Sequence, residues 1–234
     1  MEEVDGVGDQ VGGTMTSSEV RPEAEADDPM VRYSLDTILR DSLHSNYVDD
    51  SYYAKLRHDL VEWGSVGKPL TQPDRDDYES LVLHESWLLD RRAFEEWYQL
   101  YSRECVYWIP ACQDMPDPVA GDPQKRVTIA FDDRRRMGDR IVWLRTGVAY
   151  SQLPPSYTSH VNTGFVRIPT DNPDEVKIRS QFVVHEIRDG HVVQVIPGWM
   201  GHVFIREDGR LKIDRKLVCL LDGHRSHHNL TFLI

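Results

Sequence analysis

Apolar residues recur at every third or fourth position through the first half of this chain, and at alternate positions through much of the second. That division predicts helices first and strands afterwards. Leu35, Ile38, Leu39 and Leu43 have helical spacing. Tyr53, Leu56, Leu60 and Trp63 repeat it, with Asp49 or Asp50 placed to cap the helix and Gly64 to stop it. Gly64 to Pro73 reads as a linker. After Pro73, the acids Asp74, Asp76 and Asp77 suit the positive end of a helix whose face is Tyr78, Leu81, Val82, Glu85 and Leu88 or Leu89. Asp90 is placed to cap a further helix with Phe94, Trp97, Tyr98 and Tyr101 as its buried stripe.

Strands take over from Cys105–Ile109, which closes at Pro110. A proline-bearing loop (Gln113 to Gln124) leads to an alternating run, Arg126 to Phe131. A helix is expected from about Asp133 to Arg145, with Met137, Ile141 and Leu144 on one side. Three long strand-like runs follow: His160–Ile168, Val176–Arg188 and His191–Phe204. Asp189-Gly190 and Asp208-Gly209 mark tight hairpin turns, the second leading into Leu211–Leu221. Asn229–Ile234 reads as a final edge piece. Glycines around Trp199, in Pro197-Gly198-Trp199-Met200-Gly201, suggest a bulge that curves a strand. Clustered helices and then clustered strands define an α+β fold, with a curved, mostly antiparallel sheet around helices.

Composition locates the charge. The formal net charge is -12, and residues 1–30 hold nine acids against one base, Arg21, so the other 204 of the 234 residues carry only -4. Residues 1–30 are read as a flexible acidic tail, residues 31–72 as a helical arm and linker, and residues 73–234 as the α+β domain. A balanced body without a basic patch excludes a nucleic-acid binder. No apolar run is long enough to span a membrane, and the acidic start lacks a secretory h-region. Three cysteines, Cys105, Cys112 and Cys219, fit a reducing cytoplasm better than a disulfide scaffold; Cys105 and Cys219 sit in apolar runs.

Candidate chemistry is sparse. A Rieske cluster needs two Cys and two His in closely paired motifs, and no histidine stands two or three residues after any cysteine. His44, His58 and His84 are too dispersed for a helical iron site. His224, His227 and His228 cluster near Asp222, either as a polar surface loop or as a metal or interface site. No nucleophile elbow and no phosphate-binding glycine loop is present. Asp132-Asp133 reads first as the cap of the following helix, with Arg140 in reach, and second as an acid–base pair. His160 follows a Pro-Pro turn and is either a hydrogen-bonded structural histidine or a residue at a rim or subunit contact. Trp87, Trp97, Trp108 and Trp143 lie in apolar contexts, as core or at an interface. No residue is assigned a catalytic, cofactor-binding or metal-binding role.

The series Glu85-x-x-Leu88-Leu89-Asp90, Trp97, Tyr107-Trp108-Ile109-Pro110, Phe131-Asp132-Asp133-Arg134, Arg140-Ile141, Leu144, Pro154-Pro155-Ser156, His160, Leu217-Val218, Leu220-Leu221 and Asn229-Leu230 resembles the small, or β, subunit of aromatic-ring-hydroxylating dioxygenases. The resemblance covers about residues 75–234; Tyr157 stands where that family often has a basic residue. It implies a cystatin-like, or nuclear-transport-factor-like (NTF2-like), cone. It also implies a non-catalytic structural subunit of a cytoplasmic, bacterial complex. The partner α subunit would hold the Rieske [2Fe-2S] cluster and mononuclear Fe(II), in an α3β3 assembly with β–β contacts. A ferredoxin and a reductase would supply NADH-derived electrons for cis-dihydroxylation of an aromatic substrate with O2. The arm carrying Tyr53, Leu56, Leu60 and Trp63 would pack on a neighbouring subunit. The alternative is a stand-alone isomerase or dehydratase of the same cone fold, with His160, Tyr107 and Asp132 as acid–base candidates.

Overall fold

The first helix begins at a capped end. The Asp49 carboxylate accepts from the N–H groups of Ser51 (2.9 Å) and Tyr52 (3.4 Å), satisfying amides that a first turn leaves open, and α1 then runs Asp50–Trp63. The structure, a computed structural model, describes residues 47, 49–111, 122–225 and 233–234. The acidic tail, the Leu35–Leu43 helix, Cys112, most of the loop Gln113 to Gln124, and His227 and His228 lie outside the described residues.

A short helical turn at Gln72–Asp74, closed by a capping box between Thr71 and Asp74, passes through a π-helical turn (Arg75–Glu79) into α2 (Ser80–Asp90). Helix α3 is Phe94–Gln99 and α4 is Arg134–Arg145. Asp133 caps α4 as expected, accepting from the N–H of Arg136 at 2.9 Å. Asp90 does not cap α3. Ala93 holds that place without a side-chain bond, and Asp90 ends α2 instead.

Among the described residues, seven strands form one sheet: β1 (Lys68–Pro69), β2 (Tyr101–Pro110), β3 (Thr128–Asp133), β4 (Tyr157–Ile168), β5 (Val176–Arg188), β6 (His191–Glu207) and β7 (Arg210–Leu220). Their order is β1-β4-β5-β6-β7-β2-β3, antiparallel throughout except for the parallel β2–β7 pair. The β5–β6 and β6–β7 hairpins turn through Asp189-Gly190 (φ 51° and 76°) and Asp208-Gly209 (φ 50° and 75°). Two successive positive φ values match the right-handed twist of the flanking strands, which is why Asp-Gly was a sound signal. The supposed linker contains β1, which pairs with Arg167 and Val166 of β4.

Each face of the sheet is covered differently. On the concave side, α2, α3 and α4 bury Val82, Leu88, Trp97, Tyr98, Met137 and Ile141 against Cys105, Tyr107, Ile178, Phe182, Met200 and Val218. On the convex side, Tyr53, Leu56, Leu60 and Trp63 of α1 pack against Val106, Trp108, Val203, Leu217 and Cys219. The apolar face expected to meet a neighbouring subunit is therefore used within the chain. Strand β6 runs through Trp199 without a bulge there; its register shifts come at Glu186/Ile187 against β5 and at Val203/Phe204 against β7. The glycines serve close approach instead. A Cβ on Gly201 would stand 2.7 Å from the Trp63 ring.

Candidate functional site

A fully buried acid, Glu85, organises the cone interior. It projects from α2 at an apolar-face position and meets groups from four other elements. Glu85 Oε1 accepts from the Tyr101 hydroxyl at 2.5 Å, from Trp97 Nε1 at 3.1 Å and from the Lys216 ammonium at 2.9 Å. Its Oε2 faces His202 Nε2 at 2.9 Å. Burial alone would raise the Glu85 carboxyl; the Lys216 ammonium, His202 and Tyr101 outweigh it and hold the group well below the usual carboxylate range. Burial pushes His202 and Lys216 down, opposed in both by Glu85. Burial, reinforced by Glu85, pushes the Tyr101 hydroxyl well up. The cluster is thus an ionised carboxylate with four partners, sealed under a helix.

A second network ties α1 to the convex face. The Lys177 ammonium bonds Asp59 and Glu62, and lies 5.7 Å from the centre of the Trp63 ring. Arg215 bonds Asp59, Glu175 (2.5 Å) and Asp214 (2.5 Å). Burial works against its charge, and Asp59 and Asp214 more than restore it, leaving Arg215 raised. Asp214 also accepts from Ser102 at 2.8 Å, and Lys55 closes the outer side of the network on Glu175 at 3.2 Å.

The residues singled out from sequence fall around the chain's last described residues. His160 Nδ1 meets Asp90 Oδ1 at 2.6 Å, and its Nε2 meets the Leu233 carbonyl at 3.1 Å. Asp90, freed from capping, also accepts from Thr158 and from the His160 N–H. The Tyr107 hydroxyl accepts from the Ile234 N–H at 3.0 Å and lies 3.2 Å from Ile234 O, and burial drives its pKa up. Leu233 and Ile234 belong to the concave core. Asp132 stands opposite Tyr107 in the β2–β3 register and pairs with Arg140 at 2.5 Å. Two of the three acid–base candidates, His160 and Tyr107, thus hold the protein's own backbone, and the third, Asp132, is taken up by Arg140. His224 lies in an exposed turn after β7. Trp97 and Trp108 are core, whereas Trp87 and Trp143 are 51% and 59% exposed. Cys105 and Cys219 are buried free thiols, and burial raises the Cys105 thiol.

One group of described residues gathers metal-type ligand atoms: His58, Glu62 and Asp171, all within 4.8 Å of one another. Glu62 already takes the Lys177 ammonium on its other oxygen, which offsets the negative charge a divalent cation would need. Sequence reasoning did not anticipate the pairing of Glu85 with His202 and Lys216, nor the Lys177 and Arg215 network. The signal was present in part: Glu85 interrupts an apolar helical stripe, and Arg215-Lys216 interrupts an apolar strand. Charges at inward positions demand partners.

The class the fold defines is an α+β cone with a curved sheet, its buried acids and bases paired within the core. The chain belongs to the ring hydroxylating beta subunit family, whose model matches residues 84–224. It is 28% identical over 161 residues to the small oxygenase component of the p-cumate 2,3-dioxygenase system of Pseudomonas putida, covering 68% of this chain and 87% of that one. It is 27% identical over 133 residues to a benzene 1,2-dioxygenase subunit beta of Pseudomonas putida, covering 56% and 71%. The fold matches the beta subunit of benzoate 1,2-dioxygenase from Burkholderia mallei ATCC 23344 with a TM-score of 0.54 at 20% identity, covering 71% of this chain and 99% of that one. It matches a chain of naphthalene 1,2-dioxygenase with a TM-score of 0.60 at 15% identity, covering 82% and 100%. The cystatin-like, or nuclear-transport-factor-like, cone expected from the resemblance is the fold of this chain.

Proposed function

We propose that this chain is the structural β subunit of a multicomponent aromatic-ring dioxygenase and performs none of the redox chemistry itself. The observation that carries this reading is that the acid–base groups of the cone are engaged within the chain. Where a stand-alone isomerase or dehydratase would need such groups free to meet a substrate, His160 and Tyr107 hold the backbone of Leu233 and Ile234, and Glu85 is spent on four internal partners. An α subunit would hold the Rieske cluster and the mononuclear iron, in an α3β3 complex fed by a ferredoxin and reductase. That complex would convert arene, O2, NADH and a proton to a cis-dihydrodiol and NAD+.

Surfaces for such partners exist on the outside. Trp87 on α2, and Tyr157 and Val161 on β4, are exposed at 51%, 65% and 51%. Among the described residues, β1 pairs the outer edge of β4 only at Val166 and Arg167, so its first half has no strand beside it there, and the His160 N–H in that half is taken by the Asp90 carboxylate. Open edges and clustered apolar side chains are ordinary docking features.

The test is to purify the chain alone and together with an α subunit bearing the Rieske motif. The expected result is a metal-free chain alone, and a hetero-oligomer that consumes NADH and O2 only when both chains are present. Stoichiometric iron in the isolated chain, or turnover by it, would overturn the proposal.

A further inference from the structure

Three polar atoms beneath α2 are closed off from solvent and have no hydrogen-bond partner among the described residues: Asn162 Oδ1, Ser180 Oγ and His202 Nδ1. They belong to three adjacent strands, β4, β5 and β6. Ser180 stands opposite Met200 and His202 opposite Ile178, so Ser180 and His202 are diagonal neighbours on the concave face. Asn162 stands opposite Phe182, which makes Ser180 its diagonal neighbour too. Diagonal residues across a sheet sit roughly 7–8 Å apart at the backbone and somewhat closer at Cβ, a spacing that suits a bridged contact.

The outer partners fix which atom donates. His202 Nε2 faces the ionised Glu85, so it carries the ring proton and leaves Nδ1 as a lone pair. The Asn162 amide nitrogen donates to Ser86 Oγ at 2.6 Å, and Ser86 Oγ spends its own proton on the Val82 carbonyl at 3.1 Å. The amide therefore cannot be flipped, and Oδ1 is an acceptor. Ser180 Oγ is left as the donor of the row. One donor and two acceptors, all buried, are the complement of a single water, which accepts one bond and gives two. Buried waters typically make about three such bonds.

We propose that the row Asn162–Ser180–His202 is a binding site for one buried water, held as a fixed part of the fold. The water accepts from Ser180 and donates to His202 Nδ1 and Asn162 Oδ1. It joins β4, β5 and β6 beneath α2 and locks the His202 tautomer that serves Glu85. This accounts for a serine at an inward position between Ile178 and Phe182, both fully buried.

The test is a crystal structure of the full chain, alone or with its partner subunit, joined to NMR of the full chain with 15N-labelled histidine. The expected result is a water within about 3.2 Å of Ser180 Oγ and His202 Nδ1, together with a neutral Nε2–H tautomer for His202. A dry site, with the Ser180 hydroxyl turned to a backbone carbonyl, would overturn the proposal, as would a doubly protonated His202 at neutral pH. Ser180→Ala gives an independent reading. Loss of a water ligand lowers Tm by about 2–4 °C for a chain of this size, whereas loss of an unsatisfied hydroxyl leaves Tm unchanged or raised.

Discussion

Glu85 shows how one residue type constrains many others. A carboxylate in an apolar core is tolerated because its Coulomb and hydrogen-bond partners exceed the cost of taking it out of water. Lys216 depends on it in return. Glu85→Gln keeps the shape and leaves the Lys216 ammonium buried without a counter-charge. The expected loss is about 3–5 kcal/mol of stability, read by urea unfolding; a loss below about 1 kcal/mol would show that water reaches the site. The same cluster gives a pH dependence. Burial holds folded His202 below its ordinary value against the opposing Glu85, with Lys216 also pressing it down. The unfolded chain then binds the proton first, so stability falls as pH drops below about 6.5. Glu85 acts in the same direction lower down: its folded pKa is depressed, so its contribution is complete above about pH 4.3 and is lost as pH falls further. The urea midpoint should decline from pH 7.5 to pH 5, and His202→Gln should flatten that limb. An unchanged slope in the variant would assign the limb elsewhere.

Among the elements, α1 was read correctly in its bounds and wrongly in its destination. Periodicity says which face of a helix is apolar; it does not say whether the cover comes from the same chain. The clue lay in β6, where Gly201 leaves room for the Trp63 ring. Gly201→Ala should displace that ring and cost about 1–3 kcal/mol, with a shift in tryptophan emission. Leu60→Ala, at a residue 1% exposed, should cost about 2–5 kcal/mol and make α1 the first site of proteolytic cutting. Most of the sheet was legible because its signals are local. The run Val176–Arg188 was bounded correctly at both ends, and both Asp-Gly turns stand where they were placed. The role of Asp90 was not legible. An acid before a helix fits a cap by local rules, and only β4, nearly 70 residues on, reveals that it serves His160 instead. The Glu85 cluster was obscure for the same reason, since His202 and Lys216 lie 117 and 131 residues away.

At the scale of the whole molecule, both faces of the central strands are buried, one by the clustered helices and one by α1. The convex side resembles a second core, with Lys177 and Arg215 as its charged inner residues. A variant lacking residues 1–64 would expose that apolar surface and strip both cations of Asp59. The expected outcome is a chain that aggregates or lacks cooperative unfolding by circular dichroism. A soluble, cooperatively folded variant that merely failed to join its partners would show that the helix matters for assembly alone.

The partners of Asp59 sit 118 and 156 residues further along the chain. A ribosome adding about 5–20 residues per second would need roughly 8–30 s to deliver Arg215 after Asp59. Throughout that interval the sticky side of α1 has no finished sheet to rest on. Synthesis of this polypeptide thus opens a window in which its earliest described helix waits for its latest strand, and slow codons between them would lengthen the time it relies on chaperones.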